Sequence, residues 1–193
     1  MPKNILPING NVVLYPSVID AASSEQLLQS LQSNICWREE RIRIFGKWVM
    51  QPRLTAWYAD AGKTYQYSGI EMTPLAWTDE LLAMKNVVEH YSGQQFNSVL
   101  LNWYRNGKDS MGWHSDDEKE LGKNPVIASL SFGAERVFKL KHKREKQLKE
   151  SIVLPAGSLL LMSGETQHHW YHALPKTNKQ VGARINLTFR KIR

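Results

Sequence analysis

The sequence predicts an α+β fold built as a double-stranded β-helix, or double-sheet jelly roll. Helical periodicity is confined to the first half of the chain, short strands fill the second half, and 193 residues with 42% hydrophobic side chains suffice for one well-filled domain. In the first helical segment, 23–33, Leu27, Leu28 and Leu31 form an apolar stripe and Ser23 with Gln26 matches a capping box. The second, 78–91, turns Leu81, Leu82, Val88 and Tyr91 inward and stops at Ser92-Gly93. From residue 96 the pattern changes to strands, predicted at 96–104, 126–132, 136–141, 151–154, 158–162, 169–174 and 184–191. Pro155-Ala156-Gly157 has the composition of a turn between two of them.

A formal net charge of +7 points to a polyanionic partner. The lone cysteine, Cys36, excludes an internal disulfide and a multi-cysteine metal site, and makes a reducing cytoplasm (or nucleus, in a eukaryote) the default setting. No run reaches the roughly 18 apolar residues of a membrane span, and residues 1–10 lack the layout of a signal peptide.

The segment 184–190 alternates without a break. As a strand it places Arg184, Asn186, Thr188 and Arg190 on one face and Ile185, Leu187 and Phe189 on the other. Taken alone it reads as an edge strand with a solvated polar face. Its two guanidiniums, each able to fork onto a carboxylate, also suit a small diacid. At roughly 3.3 Å per residue they stand about 20 Å apart, so either both lean inward on one ligand or one binds while the other braces a neighbouring acid. Upstream, His114 and Asp116 are spaced to share a side of an extended chain, and His168, His169 and His172 offer a third ligand. Two histidines and one carboxylate make the facial set that Fe(II) oxygenases use, with three positions left open. A zinc hydrolase is disfavoured, because His168 and His172 lack the intervening Glu of a zincin helix. Asn102 and Tyr104, two apart in an apolar run, can reach one ligand together.

Between residues 38 and 53, Arg41, Arg43, Lys47 and Arg53 interleave with Ile42, Ile44, Phe45 and Trp48, and Phe45-Gly46 has the look of a hairpin tip. A basic ribbon with an aromatic apex suits phosphate contact and insertion into a base stack; the alternative is an ordinary hairpin with its aromatics packed inward. The run Lys139, Lys141, Lys143, Arg144, Lys146 and Lys149 reads half as a solvated hairpin and half as phosphate contacts.

Several stretches, in this order, resemble the AlkB-type Fe(II)/2-oxoglutarate-dependent dioxygenases that repair alkylated bases, nearest to the branch acting on duplex DNA. They are Phe45-Gly46-Lys47-Trp48, Asp60-Ala61-Gly62, Tyr65-Gln66-Tyr67-Ser68-Gly69, Asn102-Trp103-Tyr104, His114-Ser115-Asp116-Asp117-Glu118, Ile127-Ala128-Ser129-Leu130-Ser131-Phe132-Gly133, His169-Trp170-Tyr171-His172 and the segment from Arg184. The resemblance, running from about residue 41 to 192, implies His114, Asp116 and His172 as iron ligands and Asn102, Tyr104, Arg184, Asn186, Thr188 and Arg190 around 2-oxoglutarate. It implies a wedge at Phe45, flanked by Ile44 and Gly46. Tyr67 and the His114 ring would sandwich a flipped base, Tyr65 and Ser68 would line its pocket, and Asp117 and Glu118 would meet its polar edge. Acidic residues there suit cationic lesions such as 1-methyladenine and 3-methylcytosine. Tyr67 departs from the family, whose duplex-acting members are expected to carry phenylalanine.

The implied architecture is an N-terminal extension and nucleotide-recognition lid over 1–95 and a jelly-roll core over 96–193. The implied reaction consumes O2 and 2-oxoglutarate and releases succinate, carbon dioxide and formaldehyde while restoring the base. The expected partner is alkylated DNA, single- or double-stranded, acted on by a monomer. The rivals are an RNA demethylase or protein hydroxylase on the same fold, and a nucleic-acid-binding module without turnover.

Overall fold

The computed structural model describes residues 2–44, 47–62, 65–67, 70–72 and 74–193, with backbone alone for 42–44, 47, 65–67 and 70–72. In chain order the described elements are β1 (Asn11–Tyr15), α1 (Ala21–Asn34), β2 (Arg41–Ile44), β3 (Lys47–Met50), β4 (Leu54–Ala59), β5 (Tyr65–Tyr67), β6 (Ile70–Met72), α2 (Asp79–Ser92), β7 (Ser98–Tyr104) and β8 (Met111–His114). A 3-10 turn (Lys119–Leu121) leads to β9 (Ile127–Gly133), β10 (Arg136–His142), β11 (Lys149–Leu154), β12 (Leu159–Ser163), α3 (Thr166–His169), β13 (Trp170–Leu174) and β14 (Arg184–Arg190).

The larger sheet runs β1-β12-β9-β14-β7-β4 and the smaller β11-β10-β13-β8, with antiparallel neighbours throughout; β2-β3 and β5-β6 are separate hairpins. This is the predicted jelly roll. The expected boundary at residue 96 falls too late for the larger sheet, because β1 and β4 precede it and pair with β12 and β7. Both edge strands were invisible to period-2 reading: β4 is buried almost throughout, so its apolar run does not alternate, and β1 is short.

α1 and α2 cover one face of the larger sheet. Leu28 and Leu31 of α1 and Leu81, Met84 and Val88 of α2 share a buried cluster with Ile185, Leu187 and Phe189 of β14. A second cluster joins the sheets, with Leu100, Ile127 and Leu160 from the larger and Leu140, Ile152 and Trp170 from the smaller. α1 extends beyond its predicted span at both ends, whereas α2 keeps its predicted length and is shifted by one residue toward the C-terminus. Asp20, not Ser23, caps α1, taking the Ser23 N–H at 3.0 Å and the Ser23 hydroxyl at 2.7 Å. Thr78 caps α2, and Gly93 closes it in the left-handed region (φ 64°) with its N–H on the Glu89 carbonyl. The predicted turn at Pro155-Ala156-Gly157 is present. Gly157 has φ 74°, and a side chain there would collide with the Ile19 carbonyl, so the turn requires glycine twice over.

β14 is no edge strand. It lies between β7 and β9, and all seven of its residues are buried, so Arg184, Asn186, Thr188 and Arg190 face the space between the sheets rather than water.

Candidate active site

β8 and β13 are neighbours in the smaller sheet, with His114 directly opposite His172. Their Nε2 atoms stand 3.1 Å apart. The His114 Nδ1–H donates to the Gly112 carbonyl at 2.9 Å, which leaves its Nε2 lone pair for a ligand. Phe138 stacks on the His172 ring at 5.3 Å and fixes its plane. Asp116 brings carboxylate oxygens to 4.0 Å from His114 Nε2 and 3.9 Å from His172 Nε2. All three ligand atoms lie within 4.8 Å of one another. Two imidazole nitrogens bound side by side at about 2.0–2.1 Å from a metal would themselves be about 3 Å apart, so the donor set fits a divalent cation.

The charges suit that role. Burial, then the neighbouring His114, pushes His172 down to about 3, so it is neutral and able to ligate at physiological pH. Burial alone would raise the Asp116 carboxyl, but the Arg190 guanidinium and then the two histidines outweigh it and hold it below the usual carboxylate range. Arg190 Nη2 donates to Asp116 Oδ1 at 2.7 Å, across 74 residues of sequence.

The arginines of β14 therefore divide. Arg190 braces the acid. Arg184, 2% exposed, donates to the Ser131 hydroxyl at 2.9 Å and lies 5.3 Å from the Tyr104 ring centroid. Burial lowers its pKa to about 10, which leaves it charged at neutral pH. No described acidic side chain pairs with it, and its Nε is buried without a hydrogen-bond partner. A buried guanidinium in that state costs several kcal/mol unless an anion meets it, so this end of the cavity fits a carboxylate of 2-oxoglutarate. Between the arginines, Thr188 donates to Asn186 Oδ1 at 2.9 Å while Asn186 Nδ2 donates to Ser129 Oγ at 2.8 Å, holding the floor of the cavity. Asn102 and Tyr104 line the same cavity as the three candidate ligands.

Residues 11–190 match the family described as the 2OG-Fe(II) oxygenase superfamily. The chain belongs to that superfamily. As such an oxygenase it uses Fe(II), 2-oxoglutarate and O2. The human DNA oxidative demethylase ALKBH2 is 40% identical over 188 residues, covering 92% of this chain and 72% of that protein. Human alpha-ketoglutarate-dependent dioxygenase alkB homolog 3 is 41% identical over 190 residues, covering 94% of this chain and 66% of that protein. Arabidopsis thaliana ALKBH2 is 40% identical over 189 residues, covering 84% and 60%. The chain thus spans about three fifths to three quarters of these relatives' lengths, and the likeness places it among the AlkB-type oxygenases. The solved structure titled "The structure of OsALKBH1" superposes with a TM-score of 0.65 over 93% of this chain and 97% of that one, at 14% identity, and shows the shared fold.

Other residues expected at the site of this oxygenase are distributed unevenly. Asp117 is exposed and takes Ser115 Oγ at 3.1 Å and Lys143 Nζ at 3.4 Å, while Glu118 is half-buried two residues beyond the candidate ligand Asp116. The backbones of Ile44, Tyr65 and Tyr67 belong to β2 and β5. Phe45, Gly46 and Ser68 lie outside the described residues. His168 bonds Asn124 Oδ1 at 2.9 Å and His169 faces Glu165 at 3.7 Å, so neither joins the cluster. Arg53, expected among the phosphate-gripping residues, instead turns inward: it is 3% exposed, and its Nε donates to Asn102 Oδ1 at 2.7 Å.

Gln167 escaped sequence reading. It is fully buried in α3, and its Oε1 accepts the Asp116 N–H at 2.9 Å. Only its position five residues before His172 could have drawn attention to it. Gln167→Met fills the same space without an acceptor, leaving a buried N–H unpaired beside a candidate ligand. The expected result is a loss of about 1–3 kcal/mol in denaturant stability and roughly 10–100-fold weaker Fe(II) binding by anaerobic titration. Unchanged metal affinity would reduce Gln167 to packing.

Proposed function

We propose that this oxygenase removes N-alkyl groups from damaged bases in DNA, with cationic lesions of the 1-methyladenine and 3-methylcytosine type as substrates. Each turnover would convert an N-methyl base, 2-oxoglutarate and O2 into the restored base, formaldehyde, succinate and carbon dioxide. The supporting observation is one continuous cavity lined by His114, Asp116, His172 and Arg184, in a chain about 40% identical to two human proteins, one of them named a DNA oxidative demethylase.

In this reading His114, Asp116 and His172 hold the iron, and Arg184 with Tyr104 receives the far carboxylate of 2-oxoglutarate. Arg190 keeps Asp116 ionised and aimed, and Asn102, Asn186 and Thr188 shape the polar wall. When bound, iron and 2-oxoglutarate supply the oxidising chemistry. The protein contributes fixed position, a neutral His172 and exclusion of water between the sheets. A stacked base cannot enter a cavity between two sheets, so the target must leave its helix. The hairpins β2-β3 and β5-β6 are assigned as the lid that receives it, with Tyr65, Tyr67, Ser68, Asp117 and Glu118 around the base. A monomer acting in the cytoplasm, or the nucleus of a eukaryote, completes the proposal. Among the described residues, no helix is long and apolar enough to cross a membrane.

The test is formaldehyde release from methylated DNA and RNA, single- and double-stranded, with and without Fe(II) and 2-oxoglutarate. Absence of release from every nucleic acid, with 2-oxoglutarate still consumed on another substrate, would overturn it. The same assay examines Phe45. If its ring fills the gap left by a flipped base, Phe45→Ala should forfeit roughly a few kcal/mol on duplex substrate and much less on a single strand. Equal losses on both would mark Phe45 as packing.

A further inference from the structure

One residue before His114 stands Trp113, and one before His172 stands Tyr171. Strand alternation sends the histidines inward and these rings outward, where Trp113 remains 45% exposed and Tyr171 37%. Lysines accompany both rings. Lys141 Nζ lies 4.3 Å from the Trp113 ring centroid and 5.7 Å from that of Tyr171, and Lys143 Nζ lies 4.9 Å from Tyr171. Lys143 is held there by the Gln167 carbonyl at 2.8 Å, and shares its charge with Asp117 at 3.4 Å. Behind them, Lys141 faces the exposed Lys149 directly across the β10-β11 ladder. Like charges opposed in a sheet cost stability, and an anion lying over them relieves the cost.

We propose that Trp113 and Tyr171, with Lys141 and Lys143, form a stacking platform for an unpaired nucleotide next to the target base. The proposal rests on nucleic acid being the substrate. Aromatic faces set among cations are what single-stranded nucleic acid recognises: bases stack on the rings while the lysines meet phosphates. A duplex keeps its base faces covered by their neighbours and has only phosphates to offer here. The position, on the outer side of the two strands that carry His114 and His172, lets a strand with its target base inside pass over the rim onto the platform. An acidic protein segment would satisfy the lysines but would leave two exposed rings without a stacking partner.

The test is binding of an unmethylated single-stranded 12-mer and its blunt duplex to the full chain, by fluorescence anisotropy. Trp113→Ala should weaken single-strand binding roughly tenfold and duplex binding little, and Trp113→Phe should restore most of the loss, since any aromatic face can stack. Polyglutamate of matched charge should compete poorly. An unchanged single-strand affinity, an equal loss on duplex, a Phe variant as weak as the Ala variant, or polyglutamate competing as well as DNA would each overturn the platform. Because the binding assay needs no methyl group, failure of the demethylase proposal would show separately, as absent formaldehyde from wild-type protein that still binds the 12-mer through Trp113.

Discussion

His172→Ala is expected to abolish Fe(II)-dependent formaldehyde release, by more than about a hundredfold, since removing a ligand should exceed the 10–100-fold cost of removing a group that merely supports one. The variant should still fold. His172 is packed by Phe138 and His114 at the border of the core rather than among the apolar residues of either cluster, and β13 keeps its neighbours β10 and β8. His168→Ala removes a hydrogen bond to Asn124 on the surface and should leave turnover close to wild type. Metal content after anaerobic loading with Fe(II) is the direct readout, with formaldehyde release as the second. Activity retained by the His172 variant and lost by the His168 variant would reverse the ligand assignment.

Arg184→Lys and Arg190→Lys, though alike in chemistry, should fail differently. Lysine keeps the charge and loses the fork. At Arg184 this would weaken the proposed charged contact to 2-oxoglutarate, worth about 1.5–3 kcal/mol, and should raise the co-substrate requirement roughly 10–100-fold with little change in that for iron. At Arg190 it slackens the 2.7 Å bond to Asp116, so the iron requirement should rise first. Succinate formation titrated against each component separates the two, and nucleic-acid affinity should barely move in either variant. Identical profiles would mean that both arginines serve one ligand, the inward-leaning clasp that the sequence left open.

That pair marks where sequence reading stops. Alternation located the strand and grouped its four polar residues on one face, because the pleat repeats every two residues whatever surrounds it. Whether the strand lay at an edge depended on β7 and β9, and whether that face met water depended on the smaller sheet packed over it; both come from elsewhere in the chain and give no local signal. The same holds for Arg53, which reads as one more cation in a basic ribbon until β4 turns it toward Asn102. Ser23 matched a capping pattern, yet Asp20 three residues earlier holds the helix, since two acceptors competed and pattern alone does not rank them. β8 went unread because four residues including Gly112 carry too little periodicity, although its last residue, His114, was legible from its spacing to Asp116. Chemistry written in residue type and short spacing could be read; burial, and the long-range bond that assigns each arginine, could not.

The central place of β14 also sets an order of events in synthesis. Every other described strand leaves the ribosome before it, yet β7 and β9 are joined only through β14, and the larger sheet stays in two halves until residues 184–190 appear. Long-range pairing of this kind is slow, and its unpaired edges are prone to association. The strand that closes the sheet is the one that carries Arg184 and Arg190, so a nascent chain short of it lacks both the proposed co-substrate anchor and the brace on Asp116. Oxidising capacity is thereby withheld until the barrel around it can form.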